Sequence, residues 1–162
     1  MLIQINCTDS SYPNTEPKRT VVYIEPEHIT SIENILSPEG KPTGMIHIWA
    51  ASNTTPTVIT GAALEEVAAA IEHYYCSSIV NYNRDAVIKM CPFMFITKNI
   101  YLNVKHVAYV RENADGMNTV TVYLNGGSAI ILKDTNAYFE VARINDVLEI
   151  HRGNPWRDTH GI

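Results

Sequence analysis

The chain has 162 residues, of which 46% are hydrophobic and 18% are charged, and these proportions are typical of a folded protein rather than a disordered one. The formal net charge of −5 disfavours non-specific attraction to phosphate backbones. The three cysteines are widely spaced, and no apolar run approaches the roughly 20 residues that span a bilayer. We therefore expect a cytoplasmic protein (in the host cytoplasm if viral) with free thiols, no signal peptide and no membrane partner.

The first half of the chain predicts five short strands followed by one helix. Apolar residues alternate over 1–7 and 45–50, residues 20–25 are β-branched and aromatic, and Pro26 interrupts the chain between the second and the third strand. Over 63–75 the period changes, because Leu64, Val67 and Ile71 fall on one side of a helix that Thr60 could cap. The predicted strands are 1–7, 20–25, 28–35, 45–50 and 57–60.

The second half predicts similar elements in a similar order. The Asn125-Gly126 pair predicts a tight hairpin turn, because both central residues of such a turn need a positive φ. A helix follows over about 136–150, capped by Asp134 or Thr135, and one of its faces carries Ala137, Val141, Ile144 and Leu148. The predicted extended segments are 93–104, 107–111, 119–124 and 129–132.

Two segments of similar sequence indicate that one module occurs twice. Residues 21–32 read VVYIEPEHITSI and residues 99–110 read NIYLNVKHVAYV, and a tyrosine and a histidine each recur after 78 positions. The sequence therefore predicts an α+β fold of two tandem repeats, each an antiparallel β-meander followed by one amphipathic helix. The predicted parts are a first module with its N-terminal strand and loop at 1–75, a connector at 76–92, a second module at 93–150 and an irregular tail at 151–162.

Both halves resemble the flagellar FlbD-like family, in which a small β-meander is followed by one helix. In the first half the resemblance depends on Pro26, Ile29, Ile32, Val58, Ile59, Leu64, Val67 and Ile71. In the second half it depends on Val107, Val110, Val120, Val122, Asn125, Gly126, Ile130 and Ile131. The first half lacks the Asn-Gly turn, and the second has Val104 where the family has proline. The resemblance implies regulation and protein–protein contact rather than catalysis.

The chain contains no motif that predicts catalysis, a cofactor site or a metal site. The histidines lack the close spacing of zinc ligands, although His28 and His106 could meet if the modules pack about a twofold axis. Neither Cys76 nor Cys91 lies next to a base that would activate a thiol. No glycine-rich phosphate loop occurs. We therefore expect a protein that is not an enzyme and that needs no cofactor.

Six residues are candidate contacts for a partner. Residues 86–111 contain four bases and no acid, which makes this segment the one locally basic stretch of the sequence. Tyr101 lies in a predicted strand of this region, and Trp156 lies in the tail, where it could anchor a partner. The candidates are Lys89, Lys98, Lys105, Arg111, Tyr101 and Trp156.

The leading interpretation is a non-catalytic interaction or regulatory protein that forms a homo-oligomer. The small duplicated layout suits a phage or bacterial accessory factor, and open edges of the meander sheets would favour self-assembly. A first alternative is a nucleic-acid-associated transcription regulator, based on the basic stretch and the strand tyrosines. A second alternative is a protein that sequesters a small ligand, such as a nucleotide, between modules or subunits. The sequence identifies no particular protein partner.

Overall fold

Strands are the most abundant elements of the described structure, which comes from a computed structural model and covers residues 1–9, 16, 18–76, 91–114 and 116–152. Most of the predicted connector and nearly all of the predicted tail lie outside these residues. The described strands are antiparallel to their neighbours, and two α-helices accompany them, so the fold class is α+β.

The two halves contain elements of the same type in the same order. Each half begins with a hairpin, continues through a short 3₁₀ helix into three consecutive strands, and ends with an α-helix. The first half consists of β1 (Ile3–Asp9), β2 (Lys18–Ile24), a 3₁₀ helix (Pro26–His28), β3 (Ile29–Leu36), β4 (Pro42–Ala50), β5 (Thr57–Thr60) and α1 (Leu64–Cys76). The second consists of β6 (Phe93–Thr97), β7 (Ile100–Asn103), a 3₁₀ helix (Val104–His106), β8 (Val107–Glu112), β9 (Val120–Leu124), β10 (Ala129–Leu132) and α2 (Ala137–Arg152).

The strands form two sheets that do not coincide with the two halves. The larger sheet has seven strands in the order β2-β1-β5-β4-β3-β7-β6, and the smaller has three in the order β10-β9-β8. The hairpin of β6 and β7 therefore belongs to the second half in sequence but extends the sheet of the first half. The extended run expected over 93–104 is divided by a turn at Lys98 and Asn99, which the alternation of apolar residues did not reveal.

Corresponding strands of the two halves pair in the same register. Ile32 lies opposite Ile48 in the first half, and Val110 lies opposite Val122 in the second. Each of these strand pairs has a register shift near its start, between Ile29 and Ser31 in one half and between Val107 and Tyr109 in the other. Because side chains alternate between faces along a strand, corresponding positions point to corresponding faces.

Helix α1 covers one hydrophobic core on the larger sheet. Its buried residues include Leu64, Val67 and Ile71, which confirms the helical face predicted from their spacing. They pack against strand residues that include Ile32 and Ile46. The expected cap at Thr60 is wrong, because the Thr60 hydroxyl donates to the Thr8 carbonyl at 2.6 Å.

Helix α2 covers a second core through a face that differs from the predicted one. Ile144 is buried as expected, but Val141 is 37% exposed and Glu140 is only 3% exposed. The Glu140 carboxylate is tolerated there because Arg143 donates to it at 3.0 Å and the Thr135 hydroxyl at 2.9 Å. The helix is capped by Asn136, whose side-chain oxygen accepts from the Phe139 amide at 2.9 Å, rather than by Asp134 or Thr135.

The turns that follow β4 and β9 touch each other. Gly126 has a φ of 93°, and a Cβ built there would lie 2.7 Å from the Ala51 carbonyl oxygen. Gly127 has a similar φ of 89°, but a Cβ there would meet no atom within 4 Å. Glycine at 126 thus allows the two turns to approach closely, whereas glycine at 127 satisfies only the turn geometry.

We expect Gly126→Ala to lower the free energy of unfolding more than Gly127→Ala does. Both variants incur the left-handed strain of about 1–2 kcal/mol, and Gly126→Ala adds an overpacking cost of roughly 1–3 kcal/mol. Urea unfolding monitored by circular dichroism measures both losses. Equal losses in the two variants would contradict the close contact between the turns.

Candidate interaction site

The two halves are joined by the antiparallel pairing of β3 with β7. Ile32 lies opposite Tyr101, and these two side chains are among the most deeply buried in the described structure. The pairing continues past β7, since the Asn34 amide donates to the Asn99 carbonyl at 2.9 Å. The junction therefore uses main-chain hydrogen bonds as well as apolar packing.

Polar side chains of the second half also bind the first half at this junction. The Asn103 side chain, 1% exposed, donates to the Ile29 carbonyl at 3.0 Å. Nε2 of His106 lies 2.8 Å from the Glu27 carbonyl oxygen, and because a carbonyl only accepts, this nitrogen donates. His28 has a different partner, the Glu25 carboxylate at 3.3 Å. Within the described residues, no group of three His, Cys, Asp or Glu side chains could hold a metal ion.

Strands β2 and β8 each pair with a neighbour on one side only, as far as the described residues show. On β2 the side chains of Val21 and Tyr23 are exposed. On β8 Tyr109 is exposed, whereas Val107 and Val110 are partly buried at the border of the second core. Unpaired strand edges present free N–H and C=O groups to a partner, so both edges are candidate docking surfaces.

The outer face of the three-stranded sheet presents stacked aromatic rings. The rings of Tyr109 and Tyr123 stack with centroids 4.3 Å apart and an interplanar angle of 18°. The Arg111 guanidinium lies over the Tyr123 ring at 5.3 Å, and the neighbouring Ile131 is exposed. The sequence prediction omitted Tyr109 as a contact, although its alternation with Val110 places it on the same face as Arg111. This group, in which Tyr109, Arg111 and Ile131 are exposed and Tyr123 is half-buried, is termed the stacking face.

The structure does not gather the six predicted contact residues into one patch. Lys98 lies in the turn between β6 and β7, and Lys105 lies in the 3₁₀ helix that follows β7, so this strand separates them. Arg111 belongs to the stacking face. The prediction for Tyr101 requires correction, because its side chain is 1% exposed and belongs to the first core. Lys89 and Trp156 lie outside the described residues.

A buried polar cluster lies beside α1 around the Tyr101 hydroxyl. The hydroxyl donates to the Glu72 carboxylate at 3.5 Å and lies 3.5 Å from the Cys91 sulfur. Burial raises the pKa of Cys91 to about 11, and burial also raises the pKa of Tyr101. The Cys91 thiol therefore stays protonated at neutral pH, and a protonated thiol is a poor nucleophile.

A second acid–histidine contact lies on the larger sheet. The Glu33 carboxylate accepts from the Trp49 indole at 3.0 Å and lies 3.4 Å from Nδ1 of His47. All three residues point to the same face, since Glu33 pairs with His47 and Trp49 lies two positions along β4. The indole bond gives the carboxylate a structural role on this face.

We expect the free energy of unfolding to fall between about pH 9 and pH 11, and to fall less in a Cys91→Ala variant. The folded pKa of Cys91 lies above its unfolded value, so its contribution is complete below pH 9 and is lost as the pH approaches 11. The difference between the two slopes should reach about 1.4 kcal/mol per pH unit. Urea unfolding at several pH values checks this, and parallel slopes would contradict the buried neutral thiol.

Comparisons with known proteins add the following. No protein family and no curated protein sequence matches the chain. Among solved structures, the chain is similar to the LytTr DNA-binding domain of a response regulator from Bacillus cereus, over 90% of this chain and 96% of that one. The TM-score is 0.46 and the identity is 9%, and at this level the likeness carries no argument about function. No helix of the described residues is long and apolar enough to cross a membrane.

Proposed function

We propose that the protein is a non-catalytic interaction protein that assembles with copies of itself and consists of two related units. Each unit is a β-meander followed by a helix, with boundaries at 1–75 and 93–150. The layout agrees with the FlbD-like resemblance, whose members act through protein contacts. A phage or bacterial accessory or regulatory factor is the class that this layout fits.

The relation between the units is supported by the similar spacing, in sequence positions, between each element of the first unit and its counterpart in the second. The 3₁₀ helices and the strands after them differ by 78 positions, β4 and β9 by 74, and the final helices by 73. The changes in spacing fall in loops, where insertions are tolerated. A main-chain bond also recurs, since the His28 carbonyl accepts from the Ala51 amide and the His106 carbonyl from the Asn125 amide.

Self-assembly is supported by a difference in pairing between two corresponding strands, β3 and β8. In the first unit β3 is paired on both sides, whereas in the second unit its counterpart β8 is paired on one side only within the described residues. The open edges of β2 and β8 carry apolar side chains, and such edges tend to acquire a strand partner. A second copy of the chain carries the same two open edges, so β2 of one copy can pair with β8 of another.

A non-catalytic role in a reducing compartment is supported by the buried polar groups. Cys7, Cys76 and Cys91 are buried and are not in disulfides, which fits the cytoplasm. Cys91 is protonated at neutral pH, and the Glu33 carboxylate is engaged by the Trp49 indole.

We expect the purified protein to form oligomers whose mass is a multiple of 18.1 kDa. Size-exclusion chromatography with light scattering, over a dilution series from about 100 µM to 1 µM, measures the mass at each concentration, because association follows mass action. Oligomers that dissociate on dilution would support reversible assembly. A single monomeric species at about 100 µM would contradict the proposal.

Single-stranded nucleic acid is a second candidate ligand, favoured by the stacking face. Tyr109 and Tyr123 present rings with an arginine beside them, which is an arrangement that bases stack on. The net charge of −5 makes electrostatic attraction weak, so binding would depend on stacking and would favour unpaired bases. No feature of the described residues favours the nucleotide-sequestering alternative in the same way, and it remains a prediction.

We expect Tyr109→Ala to weaken single-stranded binding by about 5- to 150-fold, because stacking contributes roughly 1–3 kcal/mol per base. Filter binding at low salt with unpaired oligonucleotides measures the affinity. Tyr138→Ala is the matched control, since Tyr138 is exposed on α2 away from the stacking face. Absence of retention at low salt, or equal binding by all three proteins, would remove this function.

A further inference from the structure

We infer that β2 of one copy pairs antiparallel with β8 of the next copy, which repeats between chains the β3–β7 junction within one chain. The inference rests on the proposed self-assembly and adds the surface, the register and the partner. The partner is a second copy of this chain. The docking surfaces are the open edges of β2 and β8.

The equivalence of strands determines which edges should meet. Strand β7 occupies the place in the second unit that β2 occupies in the first, because each is the second strand of an antiparallel pair and precedes a 3₁₀ helix. Strand β8 corresponds in the same way to β3. The contact of β3 with β7 therefore corresponds to a contact of β8 with β2, and within one chain the described structure leaves both of these edges unpaired.

The internal junction also predicts the register between copies. Ile32 lies opposite Tyr101 within the chain. Val110 follows Ile32 by 78 positions and Tyr23 precedes Tyr101 by 78 positions, so the corresponding contact between copies places Val110 opposite Tyr23 of the second copy. The neighbouring pairs become Tyr109 with Ile24, and Arg111 with Val22. One step further along, Glu112 would lie opposite Val21 and diagonal to Arg19, so this end of the contact combines opposite charges.

The exposed side chains of the two edges suit this pairing. Tyr23 is 60% exposed, whereas its counterpart Tyr101 is 1% exposed. Tyr101 is buried because β7 pairs with β3 and its side chain lies in the first core. Val107 and Val110 lie partly buried at the border of the second core, together with Val147 and Leu148 of α2. Tyr23 of a second copy would lie beside this apolar border, as Tyr101 lies beside the first core.

One difference makes the contact between copies weaker than the contact within a chain. The position of Asn103, whose amide donates to the Ile29 carbonyl, is occupied by Glu25 on the β2 side. A carboxylate cannot donate to the corresponding Val107 carbonyl. The bond of His106 does have a counterpart, because His28 can donate to the Lys105 carbonyl of the second copy. We therefore expect a reversible association.

The pairing joins two different surfaces, so it is head-to-tail. Such a contact leaves one open β2 and one open β8 at the ends of every linear assembly, which grows as a filament unless its two ends pair and close a ring. This distinguishes it from a twofold dimer, in which each copy would use the same surface.

Disulfide formation between two variants that each carry one added cysteine tests the register. A chain with Tyr23→Cys is mixed with a chain with Val110→Cys under mild oxidation, and the native thiols are buried. We expect a cross-linked pair, because directly opposed side chains of neighbouring strands lie within disulfide reach. The matched control mixes Tyr23→Cys with Tyr109→Cys, whose side chain points to the other face, and it should cross-link several-fold more slowly.

A charge substitution tests whether the edge is responsible for assembly in solution. Tyr23→Lys should weaken self-association about tenfold or more, since a buried interface position rarely tolerates an unpaired charge. Tyr138→Lys, on exposed helix α2, should leave the oligomer mass unchanged. Circular dichroism confirms that both variants remain folded.

The outcomes separate this inference from the proposed function. In-register cross-linking together with dissociation of Tyr23→Lys would support the pairing. Oligomers that persist in Tyr23→Lys, without the predicted cross-link, would overturn the pairing but leave self-assembly standing. A monomer in every experiment would overturn both.

Discussion

The pairing of β3 with β7 is the contact on which the rest of the structure depends. It places the β6–β7 hairpin of the second half at the edge of the sheet built by the first half. Strand β7 consequently serves two cores, because Tyr101 points into the core under α1 and Leu102 into the core under α2. A strand shared in this way couples the halves, since separating them would expose apolar side chains on both of its faces.

Buried polar groups make the junction specific. The Asn103 amide satisfies the Ile29 carbonyl, which would otherwise lose its hydrogen bond to water on burial. In the second core, Arg143 binds the Glu140 carboxylate and also donates to the Ile96 carbonyl at 3.3 Å. These bonds connect α2 to β6. Removing one member of such a pair leaves the other uncompensated, and this favours the observed packing over alternatives.

The contrast between the two halves bears on function. Corresponding strands have the same registers, yet β3 is paired on both sides whereas its counterpart β8 is paired on one side only within the described part of the chain. The surfaces to which a function is assigned, the β2 and β8 edges and the stacking face, lie on strands rather than in a cleft. A surface of this kind suits strand addition or base stacking better than chemistry on a small substrate.

Several features could be predicted from the sequence because they depend on local periodicity. The helical spacing of Leu64, Val67 and Ile71 predicted the buried face of α1. The same rule failed at Glu140, because a charged residue is expected to be exposed. The sequence does not show that Thr135 and Arg143 bind this carboxylate in the folded protein. The exposure of Tyr101 was also misjudged, since both a buried and an exposed strand position accept tyrosine.

The sequence by itself determined both described α-helices and most of the strands, because these follow from side-chain period and turn chemistry within a few residues, whereas the turn at Lys98 and Asn99 was not predicted. Only the tertiary structure decided which strand edges are paired and which stay open. Strand pairing joins residues far apart in the chain, as Ile32 and Tyr101 are, and an apolar alternating segment fits several neighbours equally well until the whole sheet is assembled.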